Sequence, residues 1–284
     1  VYKITEVREL SKDIKLFGVE APHITHNAKA GNFIVVIVDE KGERVPLTIY
    51  DWDREKGIVY IVFQEIGHST RKLGKLKAGD SLFAIAGPFG RPFHVGKYGN
   101  TVVIGGGVGT PAIYPIAREL RKAGNRVTSV IGYRCRELVI LSEEMKTVSD
   151  KVIVATNDGS MGIKGFVTDA LQGIIDSGEK IDLVVAVGPI VMMKAVSDLT
   201  KKYNLKTIVS LNAIMVDATG MCGGCRVAVG GETKFSCVDG PDFDGHLVDF
   251  DQLLQRVAAY KDEEKRSVDH HCRIEKSVAE ANHG

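Results

Sequence analysis

The rhythm of the sequence changes at Asn100, and that change limits the fold more than any other feature. Before it, short β-branched runs follow one another with only turns between them. They are residues 32–38 (NFIVVIV), 45–50 (VPLTIY), 57–63 (GIVYIVF) and 81–86 (SLFAIA), separated by DEKGER, DWDREKG and KAGD. Such spacing predicts a small antiparallel barrel, with one short helix over residues 69–76. After Asn100, predicted strands at 101–104, 126–131, 152–156, 183–187 and 206–211 alternate with helices at 110–123, 143–148, 166–175 and 191–203. Alternation of that kind implies a parallel, doubly wound sheet. The expected organisation is therefore β-barrel plus α/β. A barrel spans 1–98, a nucleotide-binding domain 99–211, and a cysteine segment, read as an appendage, 212–245. A helical and then charged tail spans 246–284.

Composition excludes several classes. The chain has 284 residues with a net charge of +1 and no long single-sign run, which argues against a dedicated nucleic-acid binder. The apolar run at 183–193 (LVVAVGPIVMM) falls short of the ~18 residues a membrane span needs. The opening VYKITEVREL lacks a signal-peptide core, so a cytoplasmic protein is expected. Five cysteines, three of them clustered, favour metal chemistry in a reducing compartment over a disulfide framework.

Three constellations carry chemistry. In GGGVGTPA, Gly107 and Gly109 with Ala112 match the G-x-G-x-x-G/A spacing, directly after a predicted strand and at the start of a helix. Glycines there let the backbone approach a pyrophosphate, and the helix N-terminus offers unpaired N–H groups. Thr110 is expected to cap that helix and Pro111 to occupy its first position, whereas Pro115 costs a hydrogen bond. The ribose-binding acid of an ordinary dehydrogenase is missing; Gly132, Tyr133 and Arg134 follow the second strand instead. In the barrel, Arg44–Thr48 (RVPLT) offers an Arg suited to a diphosphate and a Thr hydroxyl for a ring nitrogen; a surface Arg on an edge strand is the alternative. Finally, Asp217, Cys222, Cys225 and Cys237 are spaced D-x4-C-x2-C-x11-C, and plant-type [2Fe–2S] proteins read C-x4-C-x2-C…C. Asp217 stands where the first cysteine would be. The alternatives are a zinc site completed by Asp217 or His246, a redox C-x-x-C, or an Asp217 that only caps a turn.

Barrel, RxPxT, nucleotide domain and cysteine segment, in this order, resemble the ferredoxin-reductase-like electron-transfer family. That family includes the iron–sulfur flavoprotein subunit of dihydroorotate dehydrogenase. The stretch SLNAIMVDATGMCGGCRV, residues 210–227, is similar to the small subunits of NADH-dependent reduced ferredoxin:NADP oxidoreductases, also called sulfide dehydrogenases. The resemblance implies FAD, NAD(H) and a [2Fe–2S] cluster. Arg44, Pro46, Leu47 and Thr48 would form the flavin motif, with Arg44 at the FAD diphosphate and Thr48 near flavin N5. Val62, Phe63 and Gln64 would line the flavin, and Gly67, Ser69 and Thr70 would hold its phosphates. The nicotinamide nucleotide would fall to Gly105, Gly106, Gly107, Gly109 and Thr110, to Asn157, Asp158 and Gly159, and to Gly188, Pro189 and Met192. Asp217, Cys222, Cys225 and Cys237 would hold the cluster.

The resemblance also implies a larger flavoprotein partner with FAD and [4Fe–4S] clusters, through which ferredoxin and NADP(H) react in an electron-bifurcating complex. Two departures stand out. Val187 replaces a cysteine that many relatives carry before the Gly-Pro turn, and Asp217 replaces the fourth cysteine of the dihydroorotate relatives. The competing functions are that dihydroorotate dehydrogenase subunit and a zinc-stabilised nucleotide-binding regulator. Cys135 reads as an incidental thiol, and Trp52 as hairpin packing. Arg134 is able to meet a nucleotide phosphate. His270, His271 and Cys272 read as a solvated or partner-docking tail rather than a metal site.

Overall fold

The structure is a computed structural model and describes residues 2–260, 262–264 and 266. The first part of the chain forms β1 (Tyr2–Ser11), β2 (Ile14–Glu20), α1 (Pro22–Asn27), β3 (Phe33–Ile37), β4 (Val45–Asp53), β5 (Ile58–Gln64), α2 (His68–Gly74), β6 (Ser81–Leu82) and β7 (Ala84–Phe89). These strands make one antiparallel sheet in the order β6-β1-β2-β5-β4-β3-β7. Its two edges, β6 and β7, are consecutive in the chain and joined at Phe83, so the sheet curls round into a nearly closed barrel. Curling of this kind leaves only short edges, of which β6 is two residues long. The run at 81–86, expected as one strand, breaks at Phe83, where the chain crosses from one edge to the other. The sequence reading missed β1 and β2. In YKITEVRELS the apolar residues are diluted by charges, and most of β1 is solvated on its outer side.

The second part forms β8 (Asn100–Gly106), α3 (Thr110–Lys122), β9 (Arg126–Tyr133), α4 (Ser142–Val148), β10 (Lys151–Thr156), β11 (Ile163–Lys164), α5 (Val167–Asp176), β12 (Leu183–Val187), α6 (Ile190–Lys202) and β13 (Thr207–Ser210). Then come β14 (Arg226–Val229), β15 (Glu232–Phe235), α7 (Ser236–Asp239), β16 (Asp242–Asp244) and α8 (Phe250–Ala258). The second sheet runs β11-β10-β9-β8-β12-β13-β16, parallel except for β16 at its edge. Strand order reverses between β8 and β12, and ligands of open α/β sheets bind at such a switch point.

Alternation along the strands explains the cores. On β8, Val102 and Ile104 face one helical layer while Val103 faces the other. Barrel strands behave likewise. Ile34 and Val36 fill the barrel interior, whereas Phe33 and Val35 join the core under α5 and α6. Ile14, Leu16, Tyr50 and Val62 join the core under α3. The outside of the barrel is therefore buried against the parallel sheet. Asn125 ties the junction, its side-chain oxygen accepting from Tyr98 N at 2.6 Å and Gly99 N at 3.0 Å.

The cysteine segment is not an appendage. Cys225, Val227 and Cys237 are buried in the core shared with α6 and α8. Leu211 N donates to the Pro241 carbonyl at 2.9 Å, and β16 completes the parallel sheet's edge. The hairpin β14–β15 and β16 were not foreseen. Each is only three or four residues long, too short for a periodic signal.

Candidate functional site

A single cleft of about 2280 Å³ runs between the barrel and the C-terminal ends of the parallel strands. Its barrel wall comes from a break in pairing. β4 and β5 pair from Asp53↔Ile58 up to Ile49↔Ile61 and then part. Beyond that point β4 pairs only with β3 and β5 only with β2. The separated ends, Val45–Thr48 and Val62–Gln64, both line the cleft. Pro46 suits this place because it has no N–H to offer on the side that β5 has left. Arg44 stands exposed at the start of β4. Below it Gly67, Ser69 and Thr70 line the same wall. Thr70 Oγ1 accepts from Ile66 N and Gly67 N, each at 3.1 Å, and so closes the first turn of α2. Ser69 Oγ is bound to Glu43 on the β3–β4 connection.

The opposite wall is the switch point. Gly106, Gly107 and Gly109 line it together with Val187, Gly188, Pro189 and Met192. Gly107 has φ +54°, which an L side chain rarely adopts, and a Cβ on Gly109 would collide with the Val187 carbonyl. Thr110 and Gly105 stand behind this wall. Thr110 is wholly buried, its Oγ1 accepting from Tyr133 Oη at 2.8 Å, and the residue at the N-cap of α3 is Gly109. The cap assigned to Thr110 is thus corrected, because the 3₁₀ turn through Gly107–Gly109 runs straight into the helix and turns Thr110 inward. Burial, offset in part by the Thr110 hydrogen bond, pushes the Tyr133 phenol up to about 12. Gly105 lies under the Thr110 backbone and Ile113. Asn157 lines the cleft with Arg134, while Asp158 turns back to accept from Ser160 N at 3.0 Å and Ser160 Oγ at 2.6 Å, and Gly159 sits against Lys164. Sequence reasoning missed Ser210, Asn212 and the stretch 214–216, which also line the cleft. In the sequence the stretch 210–227 carries the family resemblance and the candidate cluster ligands, and no local spacing in it points to the cleft.

The cysteine segment folds around backbone–side-chain bonds. Asp217 Oδ1 accepts from Thr219 N at 2.9 Å and Oδ2 from Cys222 N at 2.7 Å. These bonds, with that of Thr219 foremost, hold its carboxyl below the usual carboxylate range. Cys225 and Cys237 bring their sulfurs to 3.2 Å without a disulfide, and Cys222 is exposed. Cys237 N points at Cys225 Sγ and Gly224 N at Cys222 Sγ, each at 3.4 Å. Burial, and then Cys225 beside it, pushes the Cys237 thiol up to about 12. Among the described residues no three ligand side chains converge on one point. Three free thiols, two of them in contact and two facing backbone N–H groups, are nonetheless three of the four protein ligands that an iron–sulfur cluster takes. His246 stands against Thr200, 2.9 Å from its hydroxyl.

Of the remaining candidates, Cys135 is half-buried beside Glu137, whose carboxylate holds the thiol protonated. Trp52 lies in the β4–β5 hairpin under the Arg118 guanidinium, 4.7 Å from its ring centre. His270, His271 and Cys272 lie outside the described residues. No described helix is long and apolar enough to cross a membrane.

Residues 212–249 match the iron–sulfur cluster binding domain of dihydroorotate dehydrogenase B. The chain is 43% identical to the Thermotoga maritima homologue of the dihydroorotate dehydrogenase B (NAD⁺) electron transfer subunit, over 93% of both chains. The chain belongs to the dihydroorotate dehydrogenase B electron-transfer subunit family. It is thus a subunit of an oxidoreductase. Within solved structures it resembles a chain of an NADH-dependent reduced ferredoxin-NADP oxidoreductase, a structure described in terms of flavin-based electron bifurcation. The two are 41% identical over 96% of this chain and 98% of that one, with a TM-score of 0.90. Phthalate dioxygenase reductase, at 17% identity and a TM-score of 0.57 over 80% of this chain and 85% of that one, shares the fold. These neighbours agree with the ferredoxin-reductase-like barrel, parallel sheet and C-terminal iron–sulfur domain described above.

Proposed function

We propose that this chain is the electron-transfer subunit of a flavin-based electron-bifurcating NADH-dependent ferredoxin:NADP oxidoreductase. On this reading it passes electrons between NAD(H), FAD and a [2Fe–2S] cluster, to or from a larger flavoprotein subunit that carries FAD and [4Fe–4S] clusters. The observation that carries it is the single cleft shared by the parted strands β4 and β5 and the glycine-lined switch point, in a chain that also bears the cysteine segment. Its volume exceeds the 300–1,000 Å³ typical of one small-molecule pocket, leaving room for two nucleotides side by side.

A nicotinamide delivers electrons as a pair, an iron–sulfur cluster passes them singly, and a flavin does both. The chain's residues bind and orient these groups. Arg44 meets the FAD diphosphate as a planar fork, Thr48 presents a hydroxyl near flavin N5, and Val62, Phe63 and Gln64 wall the ring. Gly67, Ser69 and Thr70 receive phosphate at the start of α2. Gly106, Gly107 and Gly109 admit the nicotinamide nucleotide, with Asn157, Gly188, Pro189 and Met192 around it. Gly105, Thr110, Asp158 and Gly159 act behind the wall, holding its shape. Val187 makes the nicotinamide end apolar. Cys222, Cys225 and Cys237 hold the cluster with Asp217 as the fourth ligand, and ferredoxin and NADP(H) react through the partner.

A second reading is favoured by the names of the relatives: the electron-transfer subunit of a dihydroorotate dehydrogenase. Asp217 in place of a fourth cysteine argues for the first. Anaerobic EPR on the purified chain, as isolated and after NADH, tests both at their shared root. An S = 1/2 signal of a reduced [2Fe–2S] centre, with flavin released on denaturation, is expected. Zinc without flavin would overturn both in favour of a zinc-stabilised regulator. Orotate reduction by the chain with its partner would select the second reading.

A further inference from the structure

A second cavity, of about 630 Å³, lies apart from the cofactor cleft, and no described residue lines both. Its volume falls in the range of roughly 300–1,000 Å³ typical of small-molecule sites. It opens between the α1–β3 connection at Lys29, the β4–β5 hairpin at Trp52 and Arg54, and the second half of α3. From α3 come Arg118, Glu119 and Lys122. The first turn of that helix, at Ala112, lines the cofactor cleft, about 9 Å further back along the axis. Arg118 is held ready. Its side chain is only 19% exposed, and its guanidinium lies 4.7 Å from the ring centre of Trp52 and 5.8 Å from that of Tyr114. Its Nη1 bonds Asp51 and its Nε donates to Glu119 at 3.0 Å, which uses two of its five N–H groups. Glu119 also accepts from Lys122 Nζ at 3.0 Å. Arg54 spends its donors on neutral acceptors, the Thr25 and Ala28 carbonyls at 3.3 Å each, while Asp53 beside it turns to Lys56 at 3.5 Å. Lys29 is exposed. Two carboxylates, Asp51 and Glu119, thus stand against four cations, Lys29, Arg54, Arg118 and Lys122, and two positive charges are left over. A phosphate monoester carries about −1.5 to −2 at neutral pH, which matches that excess. Trp52, with Ala28, Ala30, Phe93 and Val95, gives the same cavity an apolar wall.

We propose that this cavity is a second ligand site, for a small phosphate monoester joined to a flat apolar group, of mononucleotide size. Lys29, Arg54 and the N–H groups that Arg118 has left take the phosphate. Trp52 and its apolar neighbours take the flat group. Arg is suited to the first task because its planar fork meets phosphate oxygens in pairs, and Arg118 has lost its side-chain freedom before any ligand arrives. The site stands on its own residues and does not depend on the functional reading above.

Equilibrium dialysis of the full chain as purified against labelled adenosine 5′-monophosphate tests this, with NAD⁺ in excess to occupy the cleft. Emission is read alongside from Trp52, the chain's only tryptophan. The nucleotide should bind at submillimolar concentration, with a saturable change in Trp52 emission that follows the bound fraction. Adenosine lacks the phosphate and inorganic phosphate lacks the flat group, so each should bind at least about tenfold more weakly. Lys29→Glu and Arg54→Gln, both at exposed positions, should each weaken the nucleotide by about tenfold or more. Lys29→Glu should do so with Tm unchanged, which separates loss of the site from loss of the fold. No nucleotide bound at millimolar concentration, or its displacement by NAD⁺, would overturn the site. So would binding that leaves Trp52 emission unmoved, adenosine that binds as well as the nucleotide, or an affinity unchanged in either variant.

Discussion

The cofactor cleft and the cysteine segment are built on opposite principles. The cleft is shaped by backbone. Two long strands part at Ile49 and Ile61, and glycines allow two loops to touch at the switch point. Its walls are held by strand pairing and by close backbone contacts. In the cysteine segment, residues 211–225 contain no helix or strand. That stretch is held by the Asp217 carboxylate, by sulfur–amide contacts and by the buried pair Cys225 and Cys237. Backbone pairing prepares a site in advance, whereas a loop made of ligands depends on what the ligands hold. The two regions should therefore fail independently, and in different ways.

The largest separation is expected from Cys237→Ala. Cys237 is buried and touches Cys225, so its loss should abolish iron binding while flavin content stays at the wild-type level. Iron and flavin assays on one preparation check this. Loss of both together would show that the regions are one cooperative unit. Asp217 sharpens the contrast next. As a ligand, it should be replaceable by Cys with iron retained, whereas Asp217→Ala should lose most of the iron. Full iron in Asp217→Ala would reduce the carboxylate to its turn-forming bonds with Thr219 and Cys222.

On the other side, Gly109→Val attacks the cleft alone. The new side chain must displace the Val187 carbonyl, and with it one face of the switch point. NADH binding should weaken more than about tenfold, a loss of at least ~1.4 kcal/mol, with iron unchanged. Titration calorimetry beside an iron assay reads both. An unchanged NADH affinity would place the nucleotide elsewhere in the cleft.

How much of this was legible in the sequence follows the same division. The parallel sheet was readable because its strands are buried on both faces and stand as unbroken apolar runs between helices, as at residues 183–187. The glycine loop was readable because its spacing is local. By contrast, the parting of β4 from β5 is a property of pairing between residues distant in the chain, and RVPLT alone does not reveal it. Thr110 looked like a cap from its neighbours in sequence. Its true partner, Tyr133, lies 23 residues away across the sheet. The pairing of Asp242 with β13 was invisible for the same reason: DGPDFDG reads as a polar turn until β16 is seen docked on β13.

The smallest expected effect tests whether the cleft's own wall contains a loop-like element. α2 is only seven residues long, and its first turn is closed by Thr70 Oγ1 rather than by strand pairing. Thr70→Val keeps the shape and removes the acceptor. Loss of one cap costs ~1 kcal/mol, which for a chain of this size lowers Tm by only about 2–4 °C. Because Gly67 and Ser69 line the cleft on that same turn, flavin should dissociate several-fold faster, in proportion to the cap energy. NADH affinity, set on the opposite wall, should not move. If flavin release is unchanged while Tm falls, the first turn of α2 supports the fold but does not grip the phosphates. The flavin would then be held by Arg44 and the parted strands alone.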